Sequence, residues 1–265
     1  MIGFRPHFLA LVLCFFILQC EDSVRSPEFH LVSYGDAAFK ASRERFRGEA
    51  ERSGFFKSIW IFDPDTVKPL LNPETLDFMT KNKRGGGYWV WKPVIVKHVL
   101  SLIPKEDIIV YADVGCSIDI SGKKRLAEYA KMLNGKKNIL AFRIAHLAEK
   151  CWTKRDLSVE LNSPVEFLDS GQIMATVFII RNTEGALEFL DRWIQISNAS
   201  DFKLIDDTAS QSANDTCFVE NRHDQSIFSL LCKGYEGCLA IGDEISPMPY
   251  STKNGFPFIG TRIPG

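Results

Sequence analysis

Short apolar runs rich in β-branched residues alternate with longer amphipathic segments along most of this chain. The clearest run is IMATVFII at 173–180, and similar runs lie at 29–34, 58–62, 107–113 and 138–144. Each run is long enough for one strand, and the segments between them have apolar residues at helical spacing. This alternation predicts an α/β fold with a Rossmann-like, mostly parallel sheet and helices on both faces. The predicted helices are 37–53, 73–82, 92–102, 122–133, 184–196 and 224–232.

Composition narrows the class of protein further. Of the 265 residues 45% are apolar, and 32 Lys and Arg residues almost balance 33 Asp and Glu residues, for a net charge of −1. This is enough apolar material for one buried core, and no stretch rich in Gly, Pro or Ser divides the chain. A near-neutral chain also lacks the basic excess that neutralises nucleic-acid phosphates. We therefore expect a single domain with small-molecule chemistry and no nucleic-acid partner.

Residues 1–20 form a separate segment. Eleven consecutive apolar residues at 8–18 follow a basic start and precede a polar border, as in a secretory signal peptide. A membrane-spanning helix needs roughly 20 such residues, so we expect a signal peptide or a short N-terminal anchor, followed by one domain at 21–265. Sequons for N-glycosylation at Asn198 and Asn214 agree with this route. We expect a protein of the secretory pathway, in the Golgi or ER lumen or secreted, at a membrane only if the segment remains as an anchor.

Five cysteines follow this segment, and none has the CxxC spacing typical of a zinc site. An odd number permits at most two disulfides and one free thiol. We expect Cys217, Cys232 and Cys238 to include a disulfide pair, and Cys116 to be buried.

Asp113 ends the predicted strand at 107–113 and is followed by Gly115. Open α/β sheets bind ligands beyond the carboxyl ends of their strands, so Asp113 is placed to meet a ligand. A carboxylate there can hold a hard divalent cation that bridges the phosphates of a nucleotide. The alternative is that Asp113 only caps a turn.

The segment RGGGYWVWKP at 84–93 places three glycines beside aromatic and basic side chains. Such a segment suits a diphosphate and a flat ring, with Arg84 and Lys92 supplying positive charge. The alternative is a glycine turn that leads into a helix, with Trp89 and Trp91 in the core.

Five blocks in order carry a resemblance to a known family. They are RGGGYWVWKP at 84–93, VYADVGC at 110–116, EKCWTKRD at 149–156, QIMAT at 172–176 and HDQS at 223–226. Together they resemble nucleotide-sugar glycosyltransferases of the GT-A fold, many of them from capsular and surface polysaccharide clusters. The resemblance covers nearly the whole chain after residue 29. The family usually reads Tyr-x-Asp-Ala-Gly-Cys at the acid, so Asp113 matches, whereas the second Asp of the wider DxD signature is Gly115 in this chain.

The resemblance implies a site and its cofactor. The metal would be Mn²⁺ or Mg²⁺ on the donor diphosphate, held by Asp113; His223 could add an imidazole ligand, or could simply lie half-buried beside a helix-capping Asp. The implied donor-binding residues are Arg84, Tyr88, Trp91, Lys92, Lys154 and Arg155. The implied catalytic residues are Gln172, beside the donor sugar, and Asp169 or Asp224 as the general base of an inverting reaction.

The expected function is transfer of a sugar from a nucleotide-sugar donor to a glycan or other hydroxyl acceptor. One alternative is a non-catalytic secreted relative that binds a carbohydrate or nucleotide sugar, in which Gly115 marks lost metal chemistry. Another is hydrolysis of sugar nucleotides without an acceptor.

Overall fold

The computed structural model describes residues 25–246 and 255–261, so the predicted signal peptide or anchor, 1–20, lies outside the described residues. The described strands are β1 (Phe29–Tyr34), β2 (Ser58–Phe62), β3 (Ile108–Ala112), β4 (Ser117–Ile118), β5 (Ile139–Ala148), β6 (Gly171–Arg181), β7 (Cys238–Gly242) and β8 (Phe258–Ile259). Every run that the sequence predicts as a strand forms one.

Six of these strands form one sheet in the order β2-β1-β3-β6-β5-β7. All of them run parallel except β6, which pairs antiparallel with both β3 and β5. The predicted mostly parallel sheet is therefore confirmed. The reversed strand is the most apolar run of the chain, because it lies at the centre and is buried on both faces. The short strands β4 and β8 pair antiparallel in a separate small sheet.

Six helices occur where the helical spacing predicts them, and five short ones are additions. The described helices are α1 (Lys40–Ser53), α2 (Pro64–Val67), α3 (Pro73–Lys81), α4 (Gly85–Tyr88), α5 (Lys92–Leu102), α6 (Lys123–Met132), α7 (Glu149–Trp152), α8 (Arg155–Glu160), α9 (Val165–Asp169), α10 (Glu184–Asn198) and α11 (Asp224–Gly234). The additions, α2, α4 and α7 to α9, are each four to six residues long, too short for a periodic pattern. No helix within 25–246 is long and apolar enough to cross a membrane.

Two apolar cores cover the faces of the sheet. Phe178 of β6 packs with Trp193 and Phe228 under α5, α10 and α11. Val177, the residue before Phe178, points to the opposite face of the sheet and packs in the second core. This core lies under α1 and α6 and includes Tyr129 of α6. This alternation of buried side chains confirms the prediction of helices on both faces.

Asp107 anchors the amino end of β3 with a fully buried carboxylate. It accepts hydrogen bonds from the Glu28 backbone N–H at 2.9 Å and from the Arg25 guanidinium, and lies 3.2 Å from Nε2 of His30. Burial alone would raise the pKa of Asp107, but these bonds outweigh it and hold the pKa below its ordinary value. The charged form is therefore the one that the fold stabilises.

We expect Asp107→Asn to lower the free energy of unfolding at pH 7 by roughly 1–3 kcal/mol, because it removes the acceptor charge from buried donors. A lowered pKa in the folded state gives stability above the unfolded pKa of about 3.9, and this stability is lost as the pH falls through the folded pKa. Urea unfolding at pH 7 and pH 3 should show the gap between the two proteins narrowing at pH 3. The exposed Asp65 makes Asp65→Asn the control, and an equal gap at both pH values would contradict this account.

Candidate functional site

A cavity of about 310 Å³ opens at the carboxyl end of β3, where the sequence predicts a ligand. Lys92 at the start of α5, Asp113 just after β3 and Asp224 at the start of α11 line its wall, together with Thr176 from the middle of β6. Residues 220–223 and Gln225 complete one side, and Arg84 with Trp89 complete the other. Segments far apart in sequence thus converge on one site.

Lys92 is the central charge of this cavity. Its side chain is almost fully buried, and its Nζ lies 2.6 Å from Oδ2 of Asp224 and 3.6 Å from Oδ1 of Asp113. It also donates to the Ala175 carbonyl oxygen at 3.1 Å and lies over the Tyr111 ring. Burial would lower the pKa of Lys92, but the two carboxylates outweigh it and raise the pKa above its ordinary value. Lys92 therefore stays charged and ties the start of α5 to β3 and α11.

Asp224 begins α11 and is buried beside Lys92. Burial raises the pKa of Asp224 to about 6, although Lys92 acts to lower it and Asp113 adds to the rise. Two carboxylates sharing one ammonium leave the group with a net negative charge. This arrangement suits a site that orients a polar or cationic group.

Asp113 lies one residue beyond β3, with its side chain about one-third exposed. Its Oδ1 accepts a hydrogen bond from the Tyr111 hydroxyl at 2.7 Å, which holds the carboxylate in place from below. The turn that the sequence allows is also present, because the Cys116 N–H donates to the Asp113 carbonyl at 2.9 Å. The backbone of Asp113 thus forms the turn, while its carboxylate faces the cavity.

His223 has a strained backbone and a buried ring. Its φ of 54° and ψ of −120° are uncommon for a residue other than glycine. Nδ1 lies 2.7 Å from the Ile205 carbonyl oxygen, so Nδ1 carries the proton and Nε2 keeps its lone pair. Within the described part of the chain, Nε2 has no hydrogen-bond partner, although Asp207 lies 3.7 Å away. Burial lowers the pKa of His223, so the ring is neutral at pH 7.

The three glycines form a left-handed turn rather than a flexible loop. Five consecutive residues from Gly85 to Trp89 have φ between 51° and 89°. A Cβ at Gly87 would lie 2.7 Å from the Met79 backbone, so this position requires glycine. The turn directs Trp89 to the cavity, where it stacks on His223 at 5.6 Å, and buries Trp91 against Tyr34 at 3.8 Å. Of the two tryptophans, Trp91 is the core residue.

Arg84 and Tyr88 lie on the cavity side of this turn. The Arg84 guanidinium pairs with Asp207 at 3.1 Å and with Glu220 at 3.3 Å, and all three side chains are about half-exposed. The Tyr88 ring packs against His223 in a tilted arrangement, with ring centroids 4.8 Å apart. The pairs of Arg84 join the glycine turn to the loop before α11 across the mouth of the cavity.

Six of the residues implied by the resemblance do not line this cavity. Two of them, Tyr88 and Trp91, belong to the segment at 84–93, and Trp91 is buried in the core, where it cannot contact a donor in the cavity. Lys154 is buried beneath the loop before α11, where it donates to two backbone carbonyls and pairs with Asp206. Arg155 and Asp169 line a different cavity of about 370 Å³, and Asp169 is exposed and paired with Lys150. Gln172 is fully buried and does not line the cavity.

Gln225 lines the cavity, and its side chain bonds to Gln172 at 2.7 Å. The other lining residues that the sequence does not single out are Ala175, Thr176, Glu220, Asn221 and Arg222. The block HDQS contains a signal for Gln225, since it lies next to Asp224 at the first turn of α11. The resemblance instead implies Gln172, the residue of β6 to which Gln225 bonds.

A disulfide holds the loop at 199–223. It joins Cys217 to Cys151 of α7, so the predicted pair within Cys217, Cys232 and Cys238 is wrong. Cys232 and Cys238 are free and buried, as is Cys116, whose burial was predicted. The error arises because proximity in sequence does not give proximity in a fold whose loop returns to α7. Backbone bonds from Val219 to Cys151 and from Arg222 to Trp152 continue the same attachment.

Comparison with known proteins gives matches among solved structures only. No protein-family profile matches the chain, and no curated protein matches it in sequence. A glycosyltransferase involved in glycosylation of the major capsid of PBCV-1 is 11% identical, with 88% of this chain and 94% of that chain covered and a TM-score of 0.50. Mouse xyloside xylosyltransferase 1 in its apo form is 14% identical, with 82% and 85% covered and a TM-score of 0.43. The galactosyltransferase LgtC with donor and acceptor sugar analogs is 13% identical, with 83% and 76% covered and a TM-score of 0.44.

The first of these likenesses shows the fold. Over nearly its full length, the chain has the architecture of GT-A glycosyltransferases, as the resemblance in sequence predicts. At 11% identity the likeness assigns no residue roles, which depend on the geometry of the cavity.

We expect Trp91→Ala to lower the free energy of unfolding by about 3–5 kcal/mol, because Trp91 is buried on all sides. Trp89→Ala should cost less, since Trp89 is only partly buried. Urea unfolding of both variants measures the difference. A larger loss of unfolding free energy for Trp89→Ala than for Trp91→Ala would show that Trp89 is the core residue.

Replacing both Cys151 and Cys217 by Ser should lower the free energy of unfolding by roughly 4 kcal/mol, the value for a disulfide that spans 66 residues. The loop at 199–223 should also become sensitive to limited proteolysis. Reductant should bring the wild-type protein to the stability of the variant and leave the variant unchanged. A variant as stable as oxidised wild type would show that the loop is held without the disulfide.

Proposed function

We propose that this protein is a glycosyltransferase that transfers a sugar from a nucleotide-sugar donor to a hydroxyl acceptor. The observation that carries the proposal is the buried ion group of Lys92, Asp113 and Asp224, at the strand-end cavity of a GT-A fold. Lys92 and Asp224 are buried charges, and keeping them beside the partly exposed Asp113 is costly for folding, which is typical of functional sites.

The mouth of the cavity suits a nucleoside diphosphate. Arg84 has five N–H donors and uses only some of them on Asp207 and Glu220, so others remain for phosphate oxygens. Trp89 offers a flat ring beside it, and Arg222 adds a second guanidinium to the wall. Positive charge and an aromatic face thus lie together at the mouth of the cavity. A nucleoside diphosphate can use both, the charge for its phosphates and the flat ring for its base.

A divalent metal fits this cavity only together with the donor. Within 25–246 and 255–261, no group of three or more His, Cys, Asp or Glu side chains is arranged to hold a metal ion. Asp113 offers one carboxylate at the cavity, and His223 offers an unbonded Nε2 lone pair. Mg²⁺ and similar ions are often held by one or two carboxylates together with substrate phosphates. Bound there, Mn²⁺ or Mg²⁺ would neutralise charge on the departing diphosphate.

Asp224 and Gln225, at the start of α11, are the polar groups of the cavity wall that we assign to the donor sugar. The Asp224 carboxylate is held by Lys92 at 2.6 Å, which favours orienting the sugar over removing a proton from the acceptor. Asp169, the other proposed base, lies in the second cavity and is exposed. The acceptor is a glycan or another hydroxyl compound that reaches the open side of the donor.

The disulfide supports the proposed location in the secretory pathway. Structural disulfides persist in oxidising compartments, and the Cys151–Cys217 bond joins two segments near the site. The sequons at Asn198 and Asn214 and the apolar segment at 8–18 agree with the same route. We propose that the protein works in the ER or Golgi lumen or after secretion.

A panel of nucleotide sugars tests the function. The purified protein, with Mn²⁺, should release nucleoside diphosphate from at least one donor, faster with a sugar acceptor than without. Asp113→Asn should reduce this rate by at least about 100-fold, because a contact to the leaving group contributes several kcal/mol in the transition state. The exposed Asp77 supplies the control variant Asp77→Asn, which should keep full activity.

The outcomes separate the alternatives. Sugar binding without turnover of any donor would support a non-catalytic binding protein, and release of diphosphate that no acceptor accelerates would support a hydrolase. Full activity of Asp113→Asn, or full activity in EDTA, would contradict the role given to Asp113 and the metal.

A further inference from the structure

A chain of three hydrogen-bonded side chains runs from the interior to the cavity wall. Nε2 of Gln172 donates to Oε1 of Glu149 at 3.1 Å, and Nε2 of Gln225 donates to Oε1 of Gln172 at 2.7 Å. Oε1 of Gln225 then accepts from the Ala175 backbone N–H at 3.3 Å. Glu149 and Gln172 are fully buried, and Gln225 lines the cavity.

Both ends of this chain have a fixed hydrogen-bond polarity. The oxygens of Glu149 also accept from Thr153, Ser229 and Lys233, so Glu149 acts only as an acceptor. At the other end, a backbone N–H can only donate. Each glutamine amide must therefore turn its NH₂ group towards Glu149 and its oxygen the other way. The donors and acceptors at the two ends therefore fix the orientation of both amides. Hydrogen-bond partners are what normally distinguishes the oxygen of a side-chain amide from its nitrogen.

We infer that Glu149 and Gln172 are positioning residues that hold the Gln225 amide in one orientation at the cavity. The Gln225 NH₂ group has two hydrogens, and Gln172 takes only one of them. The second is left as a donor at the cavity wall, where it can meet an oxygen of the donor sugar. This use of the donor rests on the proposed function, whereas the fixed orientation does not.

The inference explains why a carboxylate is buried at Glu149. Lys233 lies 2.7 Å from Glu149 and is itself buried, so this ion pair carries a large desolvation cost. An acceptor that cannot donate is what the chain of amides requires at its inner end. In Glu149→Gln, the new amide oxygen would face Lys233 and the new NH₂ group would face the NH₂ of Gln172. Gln172 would lose its acceptor at Glu149, while the Trp152 carbonyl oxygen at 3.3 Å and the Ala175 N–H would still favour the native orientation, so the Gln172 and Gln225 amides would no longer be held in one orientation.

The first test observes Gln225 directly in the protein without substrate. In ¹⁵N-labelled protein the side-chain NH₂ signals of Gln225 are identified by their loss in Gln225→Ala. We expect Glu149→Gln to shift this pair and to raise its exchange with water. Ser229→Ala removes a donor to Glu149 and the acceptor of the Ile173 N–H, but it leaves Glu149 as an acceptor and adds no donor, so it should leave the pair in place. Should Glu149→Gln fail to fold, Gln172→Met, which removes the acceptor for Gln225, should give the same shift.

The second test is a double-mutant cycle on turnover of the best donor in the nucleotide-sugar panel. Glu149→Gln should lower kcat about tenfold with little change in KM, as one misdirected hydrogen bond does. The same change made in Gln225→Ala protein should have no further effect on kcat, because Glu149 acts through Gln225. Ser229→Ala should keep kcat within about twofold.

Three results would overturn the inference. They are unchanged Gln225 signals in both Glu149→Gln and Gln172→Met, equal shifts in Ser229→Ala, and an undiminished effect of Glu149→Gln on kcat in the Gln225→Ala background. If the wild-type protein turns over no donor, the proposed function fails, and the NMR signals alone decide the fixed orientation.

Discussion

The structure of the site depends on one buried ammonium. Lys92 begins α5 on one side of the sheet, and its charge is shared by Asp113 from β3 and Asp224 from α11. Without Lys92, two carboxylates would lie uncompensated in a largely apolar environment, at a cost of several kcal/mol. The left-handed glycine turn before α5 sets the position from which Lys92 enters. The cavity is therefore part of the packing of the sheet and its helices, and does not rest on a surface loop alone.

A long irregular segment completes the wall of the cavity. Residues 199–223 contain no regular helix or strand, yet they supply Glu220, Asn221 and His223 to the cavity. The segment is held by the Cys151–Cys217 disulfide and at the mouth by the ion pairs of Arg84. A loop fixed at both places can present polar groups in constant positions. The helix α7 that carries Cys151 also carries Glu149, so loop and buried amides share one support.

The sequence predicts the elements of this fold better than it predicts their contacts. Strands and helices follow from periodicity, and Asp113 follows from its place after a strand. Trp89 and Trp91 differ in role because Trp89 is the last residue of the left-handed turn and Trp91 follows it. No spacing rule predicts that turn. Gln172 does lie at the carboxyl ends of the parallel strands, because β6 runs antiparallel to them, but its side chain is buried against Glu149 and the Gln225 amide of α11 lies between it and the cavity. The partner of Cys217 depends on the path of a loop, which local sequence does not encode.

The central claim is that Asp113 and its neighbours bind the diphosphate of a sugar donor. Crystals grown with Mn²⁺ and UDP or GDP test it directly, because anomalous scattering locates the metal. We expect a Mn²⁺ peak bonded to the Asp113 carboxylate, with the diphosphate in the cavity lined by Lys92, Trp89 and Asp224. A nucleotide bound elsewhere, or Mn²⁺ bound with the nucleotide but away from Asp113, would contradict the account.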